Sequence, residues 1–222
     1  MNILNYLLAI KYDKRTYFKY YLSLLKTKHL FLNLFYNKDY NSIEIKISLF
    51  FFSFALYYTI NALFFTNDTM HNIYKVKGKY DFIYQLPKII YSNLISTVIN
   101  LLMCYLCLSE KTVVNIRKNL NKENYSKLLS EFKEALLIKL IIYYILYILF
   151  FILFWYYVSC FCVVYKNTQL YLIKDTLISF GLSLMYPLGY YLIPGIFRIP
   201  ALKDKKGGKK CLYSISQLCQ SI

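Results

Sequence analysis

Acidic residues are scarce in this chain: 11 Asp and Glu oppose 27 Lys and Arg across 222 residues, a net charge of +16. Charge of either sign is thin, at 17%, while 58% of residues are hydrophobic. A disordered tail combines high net charge with low hydrophobicity, and the second condition fails here. Six glycines exclude a collagen-like chain, and six cysteines are too few for a disulfide-rich scaffold of this length. Only two histidines occur, His29 and His71, and no di-histidine or paired-carboxylate cluster accompanies them. The expectation is therefore no enzyme, with no catalytic, cofactor-binding or metal-ligating residue assigned and no cofactor required.

The most informative absence is local. All 27 Lys/Arg and all 11 Asp/Glu lie outside four windows, Ile47–Thr66, Ile89–Ser109, Leu140–Tyr165 and Thr176–Phe197. A bilayer core of about 30 Å needs about 20 apolar residues of helix, and each window has that length. One charge at mid-span costs about 2.5–3.5 kcal/mol on insertion scales, which gives the depletion a physical reason. A soluble helix as long as the third window would carry a polar face, and LIIYYILYILFFILFWYYVSCFCVVY has none. The fold class that follows is all-α: a multi-pass membrane protein with four transmembrane helices. Its organisation is read as a cytosolic N-terminal segment (1–46), a four-span membrane domain (47–197) and a cytosolic polybasic tail (198–222).

The charge that is present marks orientation. Between the windows the Lys/Arg counts alternate as 8, 4, 7, 2 and 6 along the chain. The positive-inside rule then places both termini and the 110–139 segment in the cytosol. Basic residues that alternate across hydrophobic spans do not form the single basic face of a nucleic-acid binder, so no nucleic-acid partner is expected. Two N-x-S/T sequons test the orientation. Asn67 is predicted to lie outside, open to glycosylation, and Asn124 inside, never glycosylated. MNILNYLLAI is too short to span and lacks a basic start, so no cleaved signal is expected and the first span serves as its own signal.

The segments between windows carry helical periodicity. In residues 15–37, Arg15, Lys19, Ser23, Lys26, Asn33 and Asn37 form a narrow stripe on a Leu/Phe/Tyr body. That pattern suits a basic amphipathic helix in the headgroup plane, or equally a helix packed against the spans. Leu128, Leu129, Phe132, Leu136 and Leu137 predict that the third membrane helix begins near Tyr125. Pro87 is placed at the first position of the second membrane helix, where a missing N–H costs nothing.

Polar groups within the windows suggest seams between helices. Asn93, Thr97, Asn100, Cys104 and Cys107 share one stripe of the second span, Ala55, Thr59, Ala62 and Thr66 one of the first, and Ser179 with Ser183 one of the fourth. Small and polar residues let helices approach and hydrogen-bond, typically by about 0.6 kcal/mol per bond. A polar permeation path would look similar, but no ionisable residue lies inside a window, which argues against a proton-coupled carrier. The fourth window reads SLMYPLGYYLIPGIFRIP, so Pro187 and Pro194 should kink or break the helix, with the freed carbonyls satisfied by neighbours. Cys104 and Cys107 have CxxC spacing, but Cys160 and Cys162 belong at the opposite leaflet, so buried thiols are favoured over a metal site. Gly181-Leu-Ser183 has the spacing of intramembrane serine proteases but no histidine in another window. Lys203, Lys205, Lys206, Lys209 and Lys210 follow the last span, each worth about 1 kcal/mol against anionic lipid, and Cys211 beside them is a palmitoylation candidate.

Four stretches, DKRTYFKYYLSLLKTKHLF, YTINALFFTNDTMHNIY, FIYQLPKIIYS and LIKDTLISFGLSLMYPLGYYLIPGIFRIP, carry a resemblance. Together they resemble the C-terminal multi-pass membrane region of larger, uncharacterised ciliate-type protist proteins, over most of residues 13–213. The resemblance implies a membrane region and no activity, cofactor or site residue. It further implies that the chain is a short member or a fragment of a longer protein. The expected function is a structural, anchoring or interaction module in a lipid bilayer, with other membrane helices or an extracellular domain as partners. The alternative is a pore or carrier subunit using the Asn93/Thr97/Asn100 face and the broken fourth helix.

Overall fold

A computed structural model describes residues 5–36, 41–108, 125–203 and 209–221. Every regular element among them is an α-helix. In chain order these are α1 (Tyr6–Tyr12), α2 (Tyr17–Lys28), α3 (Leu30–Leu34), α4 (Ile43–Leu63), α5 (Asn67–Lys75) and α6 (Phe82–Cys107). They are followed by α7 (Tyr125–Val164), α8 (Gln169–Tyr190), α9 (Ile193–Lys203) and α10 (Lys210–Ser221). Four stretches are long and apolar enough to cross a bilayer: α4, α6, Leu129–Val164 of α7, and Gln169–Lys203 across α8 and α9. The protein is a multi-pass, all-α membrane protein.

Caps explain where these helices start. Ser42 accepts from Ile45 N–H to open α4, and Thr66 accepts from Thr69 N–H to open α5. Asp81 accepts from Tyr84 N–H at 3.1 Å and opens α6 at Phe82. Pro87 is therefore inside α6 and not at its first position, because the Asp81 cap nucleates the helix upstream of it. The described part of the third membrane helix opens at Tyr125, well ahead of its charge-free window, and at 40 residues runs about 60 Å, twice the bilayer core.

The chain forms two compact units, residues 38–182 and residues 1–37 with 183–222. In the first, Phe180 is ringed edge-on by Phe50, Phe54 and Tyr57, with centroids 5.4–5.7 Å apart. Near its other end Ala62, Phe65, Ile73, Phe161, Tyr171 and Leu172 form a buried cluster. These contacts use the aromatic abundance of the sequence for packing, each pair adding about 0.5–1.5 kcal/mol beyond area burial.

In the second unit, residues 15–37 are not one helix. Thr16 caps α2, and His29 ends α2 and caps α3. One face of α2 buries Tyr20, Leu24 and Leu25, while Lys19, Lys26, Phe18 and Leu22 are exposed. Side chains of α2 and its cap reach three carbonyls spaced by one helical turn. Tyr17 Oη donates to Leu192 C=O at 2.8 Å, Tyr21 Oη to Leu188 C=O at 3.0 Å, and His29 Nε2 to Leu184 C=O at 2.8 Å. These contacts fit the packed alternative for this helix. The same contacts run along the proline-rich segment, on carbonyls other than those four residues before Pro187 and Pro194. The chain stays helical through Pro187 and breaks one turn later at Tyr191–Leu192, and α9 resumes with Pro194 in its first turn, where no donor is needed. A Cβ at Gly195 would sit 2.6 Å from Tyr17 Cε2, so any larger residue there must displace the Tyr17 ring.

The 198–222 segment is more than a tail. It comprises the end of α9 and α10, and Tyr6, Ala9, Ala201 and Tyr213 form a buried cluster joining α1, α9 and α10. Lys205 and Lys206, like Asn124 and Asn37, lie outside the described residues.

Candidate functional site: a polar ladder between membrane helices

Polar residues at turn-by-turn spacing on α6 meet partners on α8 and α4. Gln85 Nε2 donates to Tyr171 Oη at 3.2 Å. One turn on, Lys88 Nζ donates to Asp175 Oδ2, and Tyr80 Oη donates to Asp175 Oδ1 at 2.6 Å. The next turn brings Ser92 Oγ to Asn61 Oδ1 at 2.8 Å, and Asn61 Nδ2 to Ser179 Oγ at 3.3 Å. Two turns further, Ser53 Oγ donates to Asn100 Oδ1 at 2.9 Å. The registers rise together on α6 and α8, which run parallel, and oppositely on α4, which runs antiparallel to both.

The ladder is buried and charged at one rung. Gln85, Ser92, Asn61, Asp175 and Ser179 are all essentially buried, and Lys88 exposes only 9% of its side chain. The Lys88 ammonium also lies 5.3 Å from the Phe65 ring centroid, a cation–π contact that partly replaces lost water. Burial, and then Asp175 accepting its proton, push the Tyr80 hydroxyl well above the usual phenol range, so it stays a donor. Two hydroxyls beside the ladder, Ser96 Oγ on α6 and Thr176 Oγ1 on α8, are buried with no partner among the described residues.

Several expectations change here. Ionisable residues do enter the spanning helices, because α6 begins seven residues before its charge-free window and α8 seven before its own. Lys88 and Asp175 immediately precede Ile89 and Thr176, so on the sequence they pass for flanking charges. The signal that identifies them is their matching place, each the seventh residue of parallel helices, with opposite sign. The seam stripe of α6 is also rotated from the expected one. Its buried positions are Gln85, Ile89, Ser92, Ser96, Met103 and Cys107. Asn100 and Cys107 belong to it. Thr97 faces outward, which is tolerable because its hydroxyl bonds the Asn93 carbonyl of its own helix at 2.7 Å. In α4, Ala55, Thr59 and Ala62 are buried as expected, whereas Thr66 lies beyond the helix and caps α5.

The remaining candidates do not converge. Cys104 is half-buried, Cys107 buried, Cys160 exposed and Cys162 half-buried, none of them in a disulfide. Among the described residues no group of three or more His, Cys, Asp or Glu comes together. His29 lies on the carbonyl of Leu184, next to Ser183, but its Nδ1 accepts from Leu32 N–H, so both ring nitrogens are occupied. Compared with known protein families, curated proteins and solved structures, the chain matches none. The ladder must be interpreted from its own chemistry.

Proposed function

We propose that the protein is a non-enzymatic structural or interaction module of a lipid bilayer, oriented with its lysine-rich segments, both termini included, in the cytosol. The observation that supports this reading is that the amides of the ladder, Asn61 and Asn100, are spent on hydroxyls of neighbouring helices. Asn61 bridges two hydroxyls and Asn100 takes the Ser53 hydroxyl, which leaves the seam as interhelical glue. A large apolar surface is left over on α7, where Ile145, Ile148, Ile152, Leu153, Tyr156 and Val163 are all exposed. Lipid tails or the helices of a partner membrane protein fit that surface.

A pore or carrier subunit is the second reading, favoured by the buried Lys88–Asp175 pair and the unpartnered Ser96 and Thr176 hydroxyls. Flux assays on the purified chain in liposomes separate the two. The module reading expects ion and solute leakage equal to that of empty vesicles. Flux above that level, lost on Asn100→Leu or Asp175→Asn, would establish the carrier.

A further inference from the structure

The unit formed by residues 1–37 and 183–222 concentrates positive charge: its sequence holds 12 Lys/Arg and two Asp, Asp13 and Asp204. One of those two acids is already committed. The Asp13 carboxylate receives Arg15 Nε at 2.7 Å and Arg15 Nη2 at 2.7 Å, and on the same side Arg198 Nη2 at 2.8 Å and Nε at 3.1 Å. Arg198 is fully buried, its guanidinium sandwiched between the Tyr20 and Tyr213 rings at 4.9 Å each. Burial alone would raise the Asp13 carboxyl, but the two guanidiniums outweigh it and hold its pKa at about 2. The lock is permanently charged at physiological pH.

This lock ties together three pieces of chain that the sequence keeps far apart: the α1–α2 region, α9 and α10. Exposed lysines flank each tied residue. Lys11 and Lys14 bracket Asp13, Lys19 adjoins Tyr20, Lys203 ends α9, and Lys209 and Lys210 open α10 just before Tyr213. Exposed Leu7, Leu8, Phe18 and Leu218 lie among them. Lysines interleaved with exposed apolar side chains on short helices suit the headgroup layer of a membrane.

We propose that these segments form one folded basic collar that binds anionic phospholipid headgroups, assembled by the Asp13–Arg198 lock. The acceptor is lipid because the collar combines charge with apolar side chains on a chain that already spans a bilayer. An acidic peptide or nucleic acid would use the lysines without the leucines. The proposal requires membrane embedding only and stands under either outcome of the flux assay.

The test uses the full chain purified in maltoside micelles containing equal phosphatidylserine and phosphatidylcholine, with retained lipid counted by mass spectrometry. Retention of phosphatidylserine over phosphatidylcholine is expected to be about tenfold at 0.1 M salt and to approach unity at 1 M salt, where the Debye length is about 3 Å. The exposed-site triples Lys11→Gln/Lys14→Gln/Lys19→Gln and Lys203→Gln/Lys209→Gln/Lys210→Gln should each lower the preference several-fold with unchanged helicity. Asp13→Asn discriminates further. It adds positive charge, so unstructured attraction predicts a higher preference, whereas an assembled collar predicts a lower one. Equal retention of both lipids by the unmodified chain, preference unchanged in the lysine variants, or a rise in Asp13→Asn would overturn the proposal.

Discussion

Lys88→Met is expected to destabilise the membrane bundle by about 3–5 kcal/mol, the usual cost of removing one partner of a buried ion pair. Asp175 is fully buried, and after the substitution only the Tyr80 hydroxyl, among the described residues, would remain on its carboxylate. The neighbouring rungs, Gln85–Tyr171 and Ser92–Asn61–Ser179, depend on the same α6–α8 register. Loss should therefore spread beyond one contact. The double variant Lys88→Met/Asp175→Leu removes both charges and is expected to recover most of the stability, because matched apolar replacements of a buried pair are often neutral. Denaturant unfolding of the unmodified chain, Lys88→Met, Asp175→Leu and the double variant in micelles gives the coupling directly. A double variant as unstable as Lys88→Met would mean that Asp175 has a role beyond the pair.

The second large effect is expected at Arg198. Arg198→Met should cost the unit built from the chain's two ends about 3–5 kcal/mol by the same reasoning. It also empties the space between the Tyr20 and Tyr213 rings. The pH dependence has a defined sign. The Asp13 carboxyl is lowered from 3.8 to about 2 in the folded chain, so its contribution is complete above about pH 4 and is lost as pH falls through about 2. In Arg198→Met only Arg15 holds the carboxyl down, so acid destabilisation should begin at higher pH. Limited proteolysis between α9 and α10, followed across pH 2 to 6, reports both changes.

The membrane helices were legible because the bilayer imposes a strong constraint: charge is excluded over one bilayer thickness, and the exclusion leaves four windows. The extension of α7 ahead of its window was legible too, since leucine periodicity continues upstream of Leu140. The seam was only half legible. Small and polar residues mark a face, but α6 carries two polar stripes one residue apart, 92/96/100 and 93/97/100. Thr97 can satisfy itself on its own backbone and Ser92 cannot be exposed without losing Asn61, a choice that only packing against α4 decides. Lys88 and Asp175 were hidden by the rule that revealed the spans, because windows defined by missing charge end at the first charge. The Asp13–Arg198 lock was invisible for another reason. Its partners are separated by most of the chain, and no local pattern pairs them.

The most direct measurement is the water accessibility of the ladder itself. In a chain with the six native cysteines replaced, Ser96→Cys is placed in liposomes and exposed to a membrane-impermeant maleimide, with Lys75→Cys as the exposed reference. A seam that serves as interhelical glue predicts that Ser96→Cys stays unlabelled until the protein is denatured, while Lys75→Cys reacts from whichever aqueous side it faces. Labelling of Ser96→Cys at a rate comparable to Lys75→Cys would place water inside the bundle and contradict a structural seam.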